Sequence, residues 1–132
     1  MPALPWIRVS EPEIDSTYVV MASRLPLRSY ARIPSFMRAT WRIRRQLATA
    51  DGLIGYSLDA NLLAKTFWTL SVWRDQEALD SFARGEPHRG VIAAIRPHMK
   101  PTTFVTWTST GSEIPVKWQT ARQQIKTRAG DR

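Results

Sequence analysis

Residues 65–88, KTFWTLSVWRDQEALDSFARGEPH, constrain the fold more than any other stretch, because their hydrophobic period changes from two to helical spacing within a few residues. Phe67 to Trp73 is rich in aromatic, β-branched and hydroxyl side chains, the composition of a strand. Alternation places Trp68, Leu70 and Val72 on one face and Phe67, Thr69, Ser71 and Trp73 on the other. Neither set is wholly polar, so both faces of the strand call for a cover. Asp75 is then placed to cap a helix whose apolar stripe is Ala78, Leu79, Phe82 and Ala83. Gly85 can end that helix, and Pro87 prevents its simple continuation.

The rest of the chain supplies partners for this unit. Residues 1–16 read as an N-terminal arm, proline-rich and without period, anchored at most by Trp6 and Ile7. A first strand is expected over 17–25, closed by Pro26. A helix over 34–50 opens on a proline, which suits a first helical turn. Its apolar face runs through Phe36, Thr40, Ile43, Leu47 and Ala50, widened by Met37, Trp41 and Ala48. Arg38, Arg42 and Arg45 take the opposite side, with Arg44 near the border. Asp51-Gly52 turns the chain into a strand over 53–59, with Ile54, Tyr56 and Leu58 on one face and Leu53, Gly55 and Ser57 on the other. A hairpin over 61–64 leads back into the 65–73 strand. After the second helix come helical turns over 89–96 and a strand over 102–110. Residues 111–132 form a basic extension in which 118–126 have helical character but sparse apolar positions. Such a helix cannot hold itself, so it frays or docks on a partner.

The order strand, helix, strand, strand, helix, strand is the split βαβ arrangement of a ferredoxin-like α+β fold (βαββαβ), with a four-stranded antiparallel sheet over 17–110. Right-handed crossovers put both helices on one sheet face. The other face remains apolar, and the sheet of a second copy is its expected cover, giving a dimeric α+β barrel.

Composition narrows the functional classes. At 132 residues the chain makes one domain. It has no cysteine, which excludes disulfides, thiolate nucleophiles and sulfur-ligated zinc. The first residues lack the basic head and apolar run of a secretory signal, and no segment has the apolar length to cross a membrane. A cytoplasmic location with no membrane partner is the expectation. Lys and Arg number 19 against 11 acids, for a net charge of +8, and residues 16–50 hold seven arginines and no acid. Such charge can draw in nucleic acid, anionic lipid or an acidic ligand. No nucleic-acid motif accompanies it, and the helix arginines repeat as a solvated face does, so nucleic acid is not the expected partner. Lys117, Arg122, Lys126, Arg128 and Arg132 read as a mobile tail. There is no glycine-rich phosphate loop, acidic metal triad or nucleophile elbow, and flavin, nicotinamide and metal use lack support.

Among residues able to carry chemistry, His88 stands first. It follows the break after the second helix and titrates near neutrality. It can serve as general base toward an acidic phenol or enol, give a nitrogen to haem iron, or simply cap the helix. His98, between Pro97 and Met99, reads as a loop residue. Trp41, Trp68, Trp73 and Trp107 can line a cavity for a flat apolar substrate, with Tyr56, Ser57, Thr69 and Ser71 as polar partners. The rival reading for each is plain core filling.

The run LIGYSLDANLLAKTFWTLSVWRDQEALDSFARGEPHRGVI resembles the antibiotic-biosynthesis-monooxygenase-like group of dimeric α+β barrels. Its FWTLSVW segment and the Pro87-His88 pair are nearest to an uncharacterised branch resembling spheroidene monooxygenase. The resemblance covers 17–110 and implies a homodimer. The group includes cofactor-free quinone-forming oxygenases, haem-degrading enzymes and haem-binding dehydratases. It implies a monooxygenase-like protein acting without cofactor on a small hydrophobic aromatic or polyene molecule. His88 would be the base, and Trp41, Tyr56, Trp68, Thr69, Trp73, Phe82 and Trp107 would contact the substrate. The alternatives are a non-catalytic protein of the same fold binding a small ligand or haem, and a basic nucleic-acid interaction protein. In the haem-degrading branch a ligand histidine lies ten residues after the aromatic that Phe82 matches. Here that position is Ile92, which cannot ligate iron. Haem would therefore fall to His88, with arginines of the first helix on its propionates.

Overall fold

In the computed structural model, which describes residues 5–86 and 88–130, the sheet grows outward from β2 (Thr17–Pro26). Pro87 and Arg132 lie outside the described residues, and with them the expected proline break and the last basic residue of the tail. β2 pairs antiparallel with β4 (Thr66–Trp73) on one side and β5 (Thr103–Thr110) on the other. β3 (Leu53–Asn61) folds back on β4, again antiparallel. These four strands have the ferredoxin-like order, and α1 (Ile33–Leu47), α2 (Gln76–Arg84) and α3 (His88–Ile95) lie over one face.

The sheet has five strands rather than the expected four. β1 (Ile7–Arg8), from the arm, pairs with β3 at Tyr56 and Gly55 and gives the order β1-β3-β4-β2-β5. It satisfies an edge that would otherwise present unpaired backbone groups. Gly55 makes this possible: a Cβ there would meet the Trp6 ring at 2.5 Å. A two-residue strand is too short to leave a periodic signal. β1 and β5 are open edges, and among the described residues no barrel closes.

A bulge changes the faces of β3. Leu53 pairs with Trp73 and Gly55 with Val72, so Ile54 is an extra residue in the ladder. Leu53 therefore joins Tyr56 on the helix side, while Ile54 packs on the opposite side. Simple alternation had put Leu53 and Tyr56 on different faces.

The opposite face is as apolar as expected, but its cover is different. α4 (Trp118–Gly130) lies on it, with Ala121 and Ile125 wholly buried against Val20, Ala22, Leu70 and Val72. Trp118 Nε1 donates to Ser57 Oγ at 3.2 Å. Arg122 pairs with the buried Asp59 carboxylate and lies over the Trp68 ring, 4.5 Å from its centre. Through Gly130 the extension docks on its own sheet rather than waiting for a partner. Pairing of two copies through this face is thus not needed to remove it from water.

Candidate functional site

The site lies between the helices and the sheet, where the core divides. At one end Phe36 of α1 stacks on Phe67 of β4 with ring centres 4.3 Å apart, among Leu25, Leu27 and Met99. At the other end Trp73 packs with Leu47, Leu53, Tyr56 and Leu79. Between these plugs the floor carries small hydroxyl residues: Thr69 and Ser71 of β4 and Ser23 of β2. Bulky side chains at both ends and small ones in the middle leave a cavity of about 350 Å³. Its roof comes from Ile43 and Arg44 of α1, Phe82 of α2, and His88, Val91 and Ile92 of α3. Phe104, half exposed on edge strand β5, borders it at the side.

The floor hydroxyls are largely spoken for. Ser23 and Thr69 bond each other, and Ser71 Oγ accepts from the Trp73 indole at 2.8 Å. Tyr56 lines the cavity, and its hydroxyl makes no hydrogen bond among the described residues.

His88 is held from three directions. Its backbone N–H donates to Gln46 Oε1 at 2.9 Å. Its Nδ1 lies 3.2 Å from the Ala83 carbonyl, which can only accept. Nδ1 therefore carries the proton, and in the neutral ring the Nε2 lone pair is basic. Its ring packs 5.1 Å from that of Phe82, which in turn packs 5.1 Å from Trp73. Burial pushes its pKa below the ordinary 6.5, an effect the Ala83 bond only partly offsets. Gln46, which sequence reasoning passed over, also donates from Nε2 to the Phe82 carbonyl at 3.3 Å. One side chain thus ties α1 to both the end of α2 and the start of α3. An isolated glutamine on a helix gives no periodic signal of this kind.

Of the residues assigned to the substrate from the sequence, Tyr56, Thr69, Trp73 and Phe82 are brought together with His88. Trp68 borders the cavity through its place on the floor strand, but its ring is on the α4 face under Arg122. Trp107 pairs with Val20 and packs on that same α4 face, away from the cavity. Trp41 is 62% exposed on the outer side of α1. Counted from Phe36, five residues turn a helix by about 140°, which takes Trp41 out of the inward stripe. Ser57 is also on the α4 face, and His98 sits in a 3-10 turn outside the cavity wall. Arg44, set at the border by the sequence, does reach the wall.

Among the described residues no group of three or more His, Cys, Asp or Glu could hold a metal ion, and no helix is long and apolar enough to cross a membrane. Haem is a poor match to the wall. Among the described residues Arg44 is its single cation against two propionates, and Ile92, one turn beyond His88, is aliphatic. The arginines of α1 and of α4 flank opposite faces of the sheet, so they form no continuous stripe for a nucleic-acid backbone.

No protein family and no curated protein matches the sequence. Solved structures do match the fold. A Lactobacillus acidophilus protein provisionally described as a monooxygenase superposes with a TM-score of 0.63 at 13% identity, over 80% of this chain and 51% of the other. The chain thus spans about half the length of that relative. A conserved protein of Methanosarcina mazei gives a TM-score of 0.62 at 15% identity, over 68% and 90% of the two chains. SnoaB of Streptomyces nogalater, a cofactor-independent oxygenase, gives 0.57 at 16% identity, over 70% and 92%. At these identities the likeness is one of fold.

Proposed function

We propose that the chain is a monooxygenase-like enzyme that works without a cofactor on a small, flat hydrophobic substrate, aromatic or polyene, held in the cavity between helices and sheet. The observation that carries this reading is His88, locked as the tautomer whose Nε2 is basic, on the wall of a largely apolar hollow. Nε2 would take a proton from an acidified carbon or hydroxyl of the substrate. The resulting anion, shielded from water, would pass one electron to dioxygen, and the radical pair would combine as a peroxide anion. Return of the proton from His88 and loss of water would leave a carbonyl, so that CH₂ and O₂ become C=O and H₂O. Desolvation by the apolar walls and donors such as Tyr56 would favour the anion. The shared fold of a cofactor-independent oxygenase supports the reading.

A second reading, a binding protein without chemistry, is favoured by one detail: His88 is oriented by a carbonyl rather than by a carboxylate. A homodimer, expected from the sequence, would have to use a surface other than the α4-covered face or displace α4.

Oxygen uptake and product formation with an anthrone or naphthol substrate decide between them. His88→Ala should lower turnover by about 10² or more, while the Gln46 bond, which uses the backbone N–H, is kept. Because burial lowers the His88 pKa, the base stays deprotonated to a lower pH, so the acid limb of the rate profile should fall below pH about 6.5. Undiminished turnover in His88→Ala would remove its role as base.

A further inference from the structure

The polar atoms left uncommitted on the cavity wall specify more about the guest than the apolar ones do. Ser23, Thr69 and Ser71 are engaged with one another or with Trp73. His88 offers an acceptor, and Tyr56 a hydroxyl. Among the described residues Arg44 is the single cation on the wall. It is half-buried, has no ion-pair partner among the described residues, and is held 5.8 Å from the Trp41 ring centre. Asp80, the one acid on the wall, is bonded by Gln76 at 2.9 Å and forms no ion pair with Arg44. An arginine partly withdrawn from water, beside apolar surface and with no acid paired to it among the described residues, is a fork open to a planar anion. The Trp41 ring outside the cavity also acquires a use here, since it steadies that fork from the solvent side.

We propose that Arg44 selects a substrate carrying an anionic group, so that the guest is a flat hydroxylated aromatic with one carboxylate, its hydroxyl toward His88 and its carboxylate on Arg44. This rests on the cavity being the substrate site but not on the oxygen chemistry assigned to His88. The competing explanation is that a chain of net charge +8 attracts any anion. A variant of an exposed α1 arginine outside the cavity, Arg38→Gln, controls for that by removing the same charge.

The test is calorimetric binding of 1-hydroxy-2-naphthoate and of 1-naphthol to the full chain, with oxygen uptake followed in parallel. The wild-type protein and Arg38→Gln should favour the carboxylate by at least tenfold, and Arg44→Gln should bind the two probes about equally. Arg44→Lys should recover only part of the preference, since a point charge replaces a bidentate fork. The proposal is overturned if the wild type shows no preference, if Arg38→Gln loses it as fully as Arg44→Gln, or if neither probe binds. Binding preference without oxygen uptake would keep Arg44 and discard the oxygenase chemistry. Uptake without preference would do the reverse.

Discussion

On the helix side of the sheet the apolar residues gather in two clusters with a hollow between them, whereas on the α4 side they form one continuous cluster. The same strands build both. β4 alternates Phe67, Thr69, Ser71 and Trp73 toward the helices with Trp68, Leu70 and Val72 toward α4. The helix side sets its bulk at the two ends, and the α4 side spreads its bulk along the strand. The buried polar groups follow the same division. Beneath α4, Asp59 is neutralised by Arg122, and Ser57 accepts from Trp118. Above the sheet, Arg44, Tyr56 and the Nε2 of His88 remain available to a guest. One face has been closed by the chain itself, and the other keeps room and unspent polarity. The proposed function is assigned to the second.

The contrast can be broken most sharply at Ile125, which is 3% exposed beneath the α4 backbone. Ile125→Ala should cost about 3 kcal/mol, read as a fall in Tm of about 10 °C. A loss below about 1 kcal/mol would mean that α4 is only loosely laid on the sheet. The same preparations report on assembly. Native mass of the intact chain should be that of one copy, while deletion of 116–132 should expose the apolar face and drive self-association. A stable dimer of the intact chain that dissociates when α4 is altered would restore the barrel in another form.

The ion pair gives an asymmetric effect whose larger arm is comparable to that at Ile125. Arg122→Ala strands a buried carboxylate and should cost about 3 kcal/mol. Asp59→Asn leaves a half-exposed guanidinium free to meet water and should cost about 1 kcal/mol. Equal losses in denaturant melts would contradict the burial difference. The smallest single change in stability is expected within a pair of volume additions. Ala121→Leu, into the filled side, should destabilise by about 2 kcal/mol. Ile92→Phe, into the hollow, should change stability by under about 0.5 kcal/mol yet weaken binding of a naphthol probe at least tenfold. If Ile92→Phe proves as costly as Ala121→Leu, the helix side is as full as the other.

Several features are legible in the sequence alone. The period change at Asp75 located β4 and α2, and Asp75 Oδ1 does accept from Ala78 N–H at 2.8 Å. The alternation in β4 already set the rings of Trp68 and Trp73 on opposite faces, although both residues border the cavity. Assigning both rings to the substrate overlooked that parity, and Trp107 failed for the same reason. Trp118, Ala121 and Ile125 recur at steps of three and four, a stripe short enough to pass for noise. The bulge at Ile54 left no comparable mark, because one extra residue alters parity without altering composition.

By itself the sequence determined the strands, the helices over one sheet face, and the greasiness of the other, since period and side-chain volume act locally along the chain. Only the tertiary structure decided that α4 covers that other face, that the core above the sheet splits around a hollow, and that Gln46 of α1 holds the backbone N–H of His88. Those outcomes depend on meetings between residues some forty positions apart or more in β3–α4 and α1–α3. No local pattern encodes them, because each contact is stabilising only once the rest of the fold has brought its partners within reach.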